Sequence, residues 1–175
     1  GMDIYRREYA DGMRDIAGLY VGYGNIDSNI QQVYGGKAGT MTMDAYSLGA
    51  YWTRKGASGW YIDAVAQGTL FDDVKGTSVE GSQMKTNGFA FTASLEGGYP
   101  IALGQGWSIE PQAQLIYQYV SLDNSHDNYG RVLYGDTNTL YTRLGARLSK
   151  NWELANRYQL TTWARVNLWH AFGGN

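Results

Sequence analysis

Acidic residues and one histidine are concentrated in three polar segments, where they could together hold a cation or activate a water molecule. They are Asp72, Asp73, Asp123, His126, Asp127 and Asp136. Carboxylate oxygens are typical Ca²⁺ ligands, and a paired Asp and His could act as the general base of a hydrolytic site. The Asp-x-Asp spacing of a calcium loop is absent. We therefore interpret these side chains as solvated loop residues and predict no catalytic residue, no metal and no cofactor.

A second group of polar residues occupies alternate positions in otherwise apolar segments. Its members are Asp63, Glu96, Glu110, Gln112, Gln114, Arg143, Arg147 and Arg165. Because successive side chains of a strand point to opposite faces, these residues share one face of a sheet. The opposite face carries Trp107, Leu115, Tyr117, Tyr119, Leu144 and Leu148. We interpret five of the charged residues as a hydrated network that stabilises the interior of a β-structure: Glu96, Glu110, Arg143, Arg147 and Arg165.

The elements that must position both groups are β-strands, because apolar residues recur with a period of two rather than 3.6. Seven segments show this alternation: 16–26, 43–54, 59–71, 89–99, 106–122, 140–149 and 159–172. Residues 3–13 are polar and are left unassigned. The sequence predicts an all-β, antiparallel, up-and-down meander.

Composition excludes several classes of protein. The chain has 175 residues, no Cys and a net charge of −2, so disulfides and thiolate zinc sites are excluded. A basic face for nucleic acid is not expected, and we predict no nucleic-acid partner. No apolar run exceeds three residues, whereas a transmembrane helix needs about 20 apolar residues.

A transmembrane barrel fits better than a soluble one. Several predicted strands reach the length of about 9–11 residues that crosses a membrane. Long polar connections (27–42, 72–86 and 123–139) alternate with short ones (55–58, 102–105 and 150–158), as in barrels with short periplasmic turns and long extracellular loops. Aromatic residues cluster near strand ends, as in interfacial girdles. The polar group is therefore expected to face a lumen, and the apolar group to face lipid or form the girdle.

Six short segments, in order, resemble the translocator β-domain of type V autotransporters, outer-membrane secretion proteins of Gram-negative bacteria. They are GLYVGYG (18–24), AYSLGAY (45–51), GWYID (59–63), ASLEGGY (93–99), GQGWSIEPQAQLIY (104–117) and TRLGAR (142–147). The resemblance implies a barrel of about twelve strands that anchors in the outer membrane and supports secretion or surface display of an N-terminal passenger. It also implies assembly by outer-membrane machinery.

Relative to the family pattern, the first two strands, about the last three strands and a C-terminal aromatic residue are missing. We therefore expect residues 1–175 to form one partial barrel domain of a larger precursor, with 1–13 as an unassigned lead-in. An isolated fragment is expected either to pair its open edges with a second copy or not to insert in a membrane.

Three other functions stay open at this stage. The chain could be an independent small soluble β-barrel or ligand-binding protein, an outer-membrane hydrolase that uses loop acids, or a truncated relic without function. Some barrels of the family cleave their own passenger with acidic lumen residues, but the linker that would be cut is not in this sequence.

Overall fold

A computed structural model describes residues 1–33, 35–79, 81, 83–126, 131–132, 135–154 and 158–173. Its strands are β1 (Met2–Glu8), β2 (Arg14–Gln31), β3 (Lys37–Lys55), β4 (Tyr61–Ser78), β5 (Gln83–Gly98), β6 (Ile101–Gly104), β7 (Trp107–Leu122), β8 (Ser125–His126), β9 (Arg131–Val132), β10 (Thr137–Glu153) and β11 (Gln159–Phe172). Within these ranges, no helix is long and apolar enough to cross a membrane.

The strands form one antiparallel meander. Its order is β1-β2-β3-β4-β5-β7-β10-β11, with β6 paired to β7 and with β8 and β9 as a separate two-stranded sheet. In the part of the chain that the structure describes, β1 and β11 each pair on one side only, so the sheet is not closed. The predicted all-β meander is confirmed.

All seven predicted strands are present as β2, β3, β4, β5, β7, β10 and β11, with 14 to 19 residues each. Five of them are longer than predicted, whereas β7 is one residue shorter and β11 has the predicted bounds. Two of the three predicted long loops are wrong in extent: only 32–36 separate β2 from β3, and only 79–82 separate β4 from β5. The third, between β7 and β10, contains the β8–β9 pair.

Breaks in strand register explain why the alternation ends before the strands do. The β3–β4 register shifts between Thr42 and Asp44, and the β4–β5 register shifts between Phe71 and Val74. Asp73, at this second break, has a positive φ of 55°. A bulge changes which side chains point to which face of the sheet. Between each bulge and the tip of its hairpin the strands therefore continue, but the apolar alternation seen in the rest of the strand does not.

The unassigned lead-in contains β1, which pairs with β2. This strand is exposed along its whole length. An edge strand held by backbone hydrogen bonds does not need apolar alternation, which is why the polar residues 3–13 gave no signal.

The two faces of the sheet differ sharply in exposure. On one face, Arg143, Gln112 and Thr69 have only 4%, 7% and 8% of their surface exposed to solvent. On the other face, Leu144 and Leu168 are 63% and 78% exposed. A flat single-layer sheet would expose both faces alike, so the sheet curves with the first face inside. We call these the polar face and the apolar face.

Candidate functional site

The polar face carries a row of side chains that crosses five strands at one level. In register, Asp63 of β4 lies beside Glu96 of β5, Glu96 beside Gln114 of β7, and Gln114 beside Arg143 of β10. The row ends at Trp169 of β11, which pairs with Arg143. Directly opposed residues of an antiparallel pair have their Cβ atoms about 5 Å apart, so the register alone brings these groups into contact.

Arg143 is the centre of this row. Its Nε donates to Gln114 Oε1 at 2.9 Å, and its Nη1 donates to Asn167 Oδ1 at 2.9 Å and to Gln112 Oε1 at 3.3 Å. Its Nη2 lies 2.9 Å from Glu96 Oε1. The guanidinium thus ties three neighbouring strands together and reaches past β7 to a fourth.

Glu96 and Gln112 extend the network. Tyr61 Oη donates to Glu96 Oε1 at 2.6 Å, and Gln112 Nε2 donates to Glu110 Oε1 at 2.7 Å. A guanidinium sheltered from water is costly unless its charge and its donors are matched. Here one carboxylate balances the charge and three amides accept three further N–H groups.

A second polar ladder lies on the same face, nearer to β2. Tyr20 Oη donates to Gln67 Oε1 at 2.8 Å, and Gln67 Nε2 donates to Thr69 Oγ1 at 3.0 Å. The hydroxyls of Thr69 and Ser47 are 2.9 Å apart. The interior of the sheet is therefore bonded across β2, β3 and β4 as well.

Glycines make room for the tyrosines of the polar face. A Cβ placed on Gly49 would overlap the Tyr20 ring, because the ring lies flat over that backbone. The same close approach pairs two other glycines with tyrosines across the sheet: Gly18 with Tyr51 and Gly98 with Tyr61. These pairs explain several glycines of the motifs as packing sites.

All eight polar residues singled out from the sequence lie on the polar face by strand parity: Asp63, Glu96, Glu110, Gln112, Gln114, Arg143, Arg147 and Arg165. Five of them meet in the Arg143 network. Asp63 instead accepts a hydrogen bond from Thr53.

Arg147 and Arg165 stand apart from that network. Arg147 is in register with both Glu110 and Arg165, yet within the described residues no ion pair joins it to either. Its guanidinium carbon lies 5.5 Å from the Trp163 ring centroid, and its buried Nε has no partner in the described part of the chain. A lumen role for the eight residues stays a prediction.

Sequence reasoning missed three residues that complete the network, namely Tyr61, Asn167 and Trp169. All three have the strand parity of the polar face, so a strict parity count would have found them. From the sequence, Tyr61 and Trp169 are instead expected in an interfacial girdle because they are aromatic.

The six residues predicted to face lipid or form the girdle all lie on the apolar face by parity: Trp107, Leu115, Tyr117, Tyr119, Leu144 and Leu148. Apart from Tyr119, these residues are between 38% and 63% exposed. Tyr119, near the long-connection end, donates to Asp136 Oδ2 at 2.9 Å. Their contact with lipid stays a prediction.

Of the described loop acids, Asp72 and Asp123 line one pocket, and the others have partners of their own. Lys75 and Lys85 pair with Asp73, and Ser121 and Tyr119 donate to Asp136. These donors hold the pKa of Asp136 below its ordinary value, the Ser121 hydroxyl most of all. Asp127 lies outside the described residues, and so does the side chain of His126. Among described residues no group of three His, Cys, Asp or Glu could hold a metal ion.

Comparisons with known proteins agree with this geometry. A family model described as the autotransporter beta-domain matches residues 1–175. The chain is 31% identical over 181 residues to the adhesin BmaC autotransporter of Brucella suis, which covers 99% of this chain and 5% of that protein. It is 30% identical over 166 residues to the autotransporter adhesin AIDA-I of Escherichia coli, covering 85% of this chain and 13% of that protein.

A solved structure supports the fold. The beta domain of the Bordetella autotransporter BrkA superposes with a TM-score of 0.76 at 24% sequence identity, over 97% of this chain and 67% of that one. The chain therefore spans most of a known β-domain but only a small part of the curated relatives it matches.

Proposed function

Because the chain belongs to the autotransporter beta-domain family, an outer-membrane translocator family of Gram-negative bacteria, we propose that it secretes or displays an attached N-terminal passenger by the following arrangement. The polar face lines the passage and the apolar face contacts lipid. Residues 1–175 act as one barrel domain of a larger precursor, inserted by the outer-membrane assembly machinery.

One observation carries this proposal: the charged network is sheltered and the leucines are exposed. A soluble barrel buries its apolar face, whereas a membrane barrel turns that face to lipid and keeps a polar interior. Leu144 and its cross-strand partner Leu168 are 63% and 78% exposed, while Arg143, next to Leu144 in the chain but on the opposite face, is 4% exposed. The soluble ligand-binding alternative is therefore not favoured.

The chain itself acts as a transport and anchoring module, and the proposal gives it no catalytic residue and no cofactor. Any enzymatic activity would belong to the passenger. The unpaired backbone of β1 and β11 supports a further part of the proposal, since free strand edges are not tolerated in lipid. Further strands, or a second copy of the chain, pair with these edges in the membrane.

The test uses the gene at its natural extent, expressed in a Gram-negative host. Deletion of residues 14–172 is expected to remove the passenger from the cell surface, measured by its sensitivity to protease added to intact cells. Deletion of 123–136 alone, the long connection, is expected to leave display intact because loop segments tolerate change. Surface display that survives the larger deletion would contradict the proposal.

A further inference from the structure

Two clusters of a cation and aromatic rings lie on the apolar face, both at the end of the sheet with the short turns. One is centred on Arg54 of β3 and the other on Lys150 of β10. A charged residue on an apolar face is expected only near the membrane boundary, where its head can reach the polar headgroups.

Arg54 is paired with an acidic residue of the protein. Its Nε and Nη2 each donate to Asp15 at 2.7 Å, and Tyr9 Oη donates to the same carboxylate at 2.9 Å. Asp15 is only 3% exposed. The guanidinium also lies 5.4 Å from the Trp52 ring centroid. Arg7, in register with Asp15, lies 4.8 Å from the Tyr9 ring centroid. Because Asp15 balances the charge of Arg54 and takes two of its donors, Arg54 is less suited than an unpaired cation to bind an anion.

The Lys150 cluster differs in this respect. Its Nζ lies 4.8 Å from the Trp107 ring centroid and 3.9 Å from the Trp152 ring centroid. None of the ion pairs found within the described ranges involves Lys150. Rings stabilise the cation but carry no negative charge, so the ammonium keeps a net charge on a face that meets lipid.

The tight turn before β7 fixes one side of this cluster. Gly104, Gln105 and Gly106 all have positive φ, and Gly106 packs so closely on Asn151 of β10 that a Cβ would overlap the Asn151 carbonyl. Asn151 N in turn donates to Gly106 O at 2.9 Å. The turn therefore holds Trp107 against β10, beside Lys150, with which it is in register.

Hydrogen-bond donors remain at the same place. Trp152 Nε1 donates to Thr162 Oγ1 at 3.2 Å, but Trp107 Nε1 has no acceptor among the described residues. An ammonium and an indole N–H, side by side at the edge of an apolar surface, suit an anionic oxygen. Leu148 lies two residues before Lys150 on the same face of β10, farther from the short-turn end. It is 41% exposed, and its apolar surface suits contact with an acyl chain.

We propose that Lys150, Trp107 and Trp152 bind the phosphate group of an anionic glycerophospholipid in the leaflet at the short-turn end of the barrel. The site rests on the proposed function, because it requires the apolar face to lie in lipid. The phosphate oxygens accept from Lys150 Nζ and Trp107 Nε1, while the acyl chains pass Leu148.

The test places the full protein in nanodiscs that contain phosphatidylglycerol and phosphatidylcholine in equal amounts. Native mass spectrometry of the released protein then gives the ratio of the two lipids that stay bound. The wild type is expected to retain phosphatidylglycerol preferentially, and Lys150→Gln to lower the ratio about fivefold, the effect of about 1 kcal/mol for one basic residue at an anionic surface. Lys55→Gln is the matched control, since Lys55 lies at the same end but on the polar face.

Two further variants keep the test decisive. Lys150→Arg is expected to retain the preference, and Trp107→Phe, which keeps a ring but loses the N–H, to lower it less than Lys150→Gln does. Equal ratios for the wild type and Trp107→Phe, or for the wild type and Lys150→Gln, would overturn the proposal. A protein that does not enter nanodiscs would overturn the proposed function as well, whereas insertion without lipid preference overturns the lipid site alone.

Discussion

Replacement of Arg143 by Met is the most direct perturbation of the polar face. The change removes a side chain that is 4% exposed, together with its pair with Glu96 and its bonds to three amides. Breaking a buried ion pair by removing one partner costs about 3–5 kcal/mol. Because the Glu96 side chain is 22% exposed and keeps its bond from Tyr61, we expect the low end, about 3 kcal/mol of unfolding free energy.

The assay is denaturant unfolding of the full protein in lipid vesicles, followed by tryptophan fluorescence. Arg147→Met is the matched control, because Arg147 lies four residues away on the same face but forms no ion pair with any described residue. It is expected to cost less than about 1 kcal/mol. The double variant Arg143→Met with Glu96→Gln is expected to recover part of the loss, since the uncompensated carboxylate is then removed.

Two results would refute this reasoning. One is an unfolding free energy of Arg143→Met within about 0.5 kcal/mol of the wild type, the range of ordinary surface substitutions. The other is equal destabilisation by the Arg143 and Arg147 variants, which would mean that the Arg143 contacts contribute nothing specific.

Three further predictions concern packing, sidedness and pH. Gly49→Ala is expected to lower the unfolding free energy by about 1–3 kcal/mol in the same assay, the usual cost of overpacking, because its Cβ would overlap the Tyr20 ring. An unchanged unfolding free energy would contradict this close approach. Leu144→Arg, at the middle of β10, is expected to lower the unfolding free energy by about 2–4 kcal/mol, the penalty for a cation on a lipid-facing surface. Thr92→Arg on the polar face is expected to lower it much less. Equal losses for the two variants would argue against two distinct environments. The hydrogen bonds that lower the pKa of Asp136 stabilise the β7–β10 connection at pH values above the ordinary pKa of 3.8. This stabilisation is lost as the pH falls through the lowered pKa, so amide hydrogen exchange near Asp136 is expected to rise in that pH range. The Asp136→Asn variant is expected to show no such rise.

The sequence predicts the two faces well because strand parity is a local property. Arg143 and Leu144 are adjacent in the chain, and the alternation alone assigns them to opposite faces, as the register then shows. The motif order likewise points to the family that the comparisons establish.

What the sequence does not predict depends on pairing between distant strands. The extension of β2 and β3 to Gln31 and Lys37 is stabilised by backbone bonds that do not require apolar residues. The bond from Tyr61 to Glu96 joins positions 35 residues apart, and neither residue type signals it. The Lys150 cluster similarly needs the β7–β10 register, which no local pattern gives.

Cysteine scanning along the middle of β10 tests the central claim most directly, because the chain has no native Cys. Single substitutions at Leu144, Gly145, Ala146, Arg147 and Leu148 would be labelled with a fluorophore in the membrane-inserted protein, and quenching by a lipid-borne quencher compared with quenching by a soluble one. We predict strict alternation, with lipid quenching at 144, 146 and 148 and aqueous quenching at 145 and 147. Uniform quenching, or the opposite alternation, would contradict a polar lumen and a lipid-facing apolar surface.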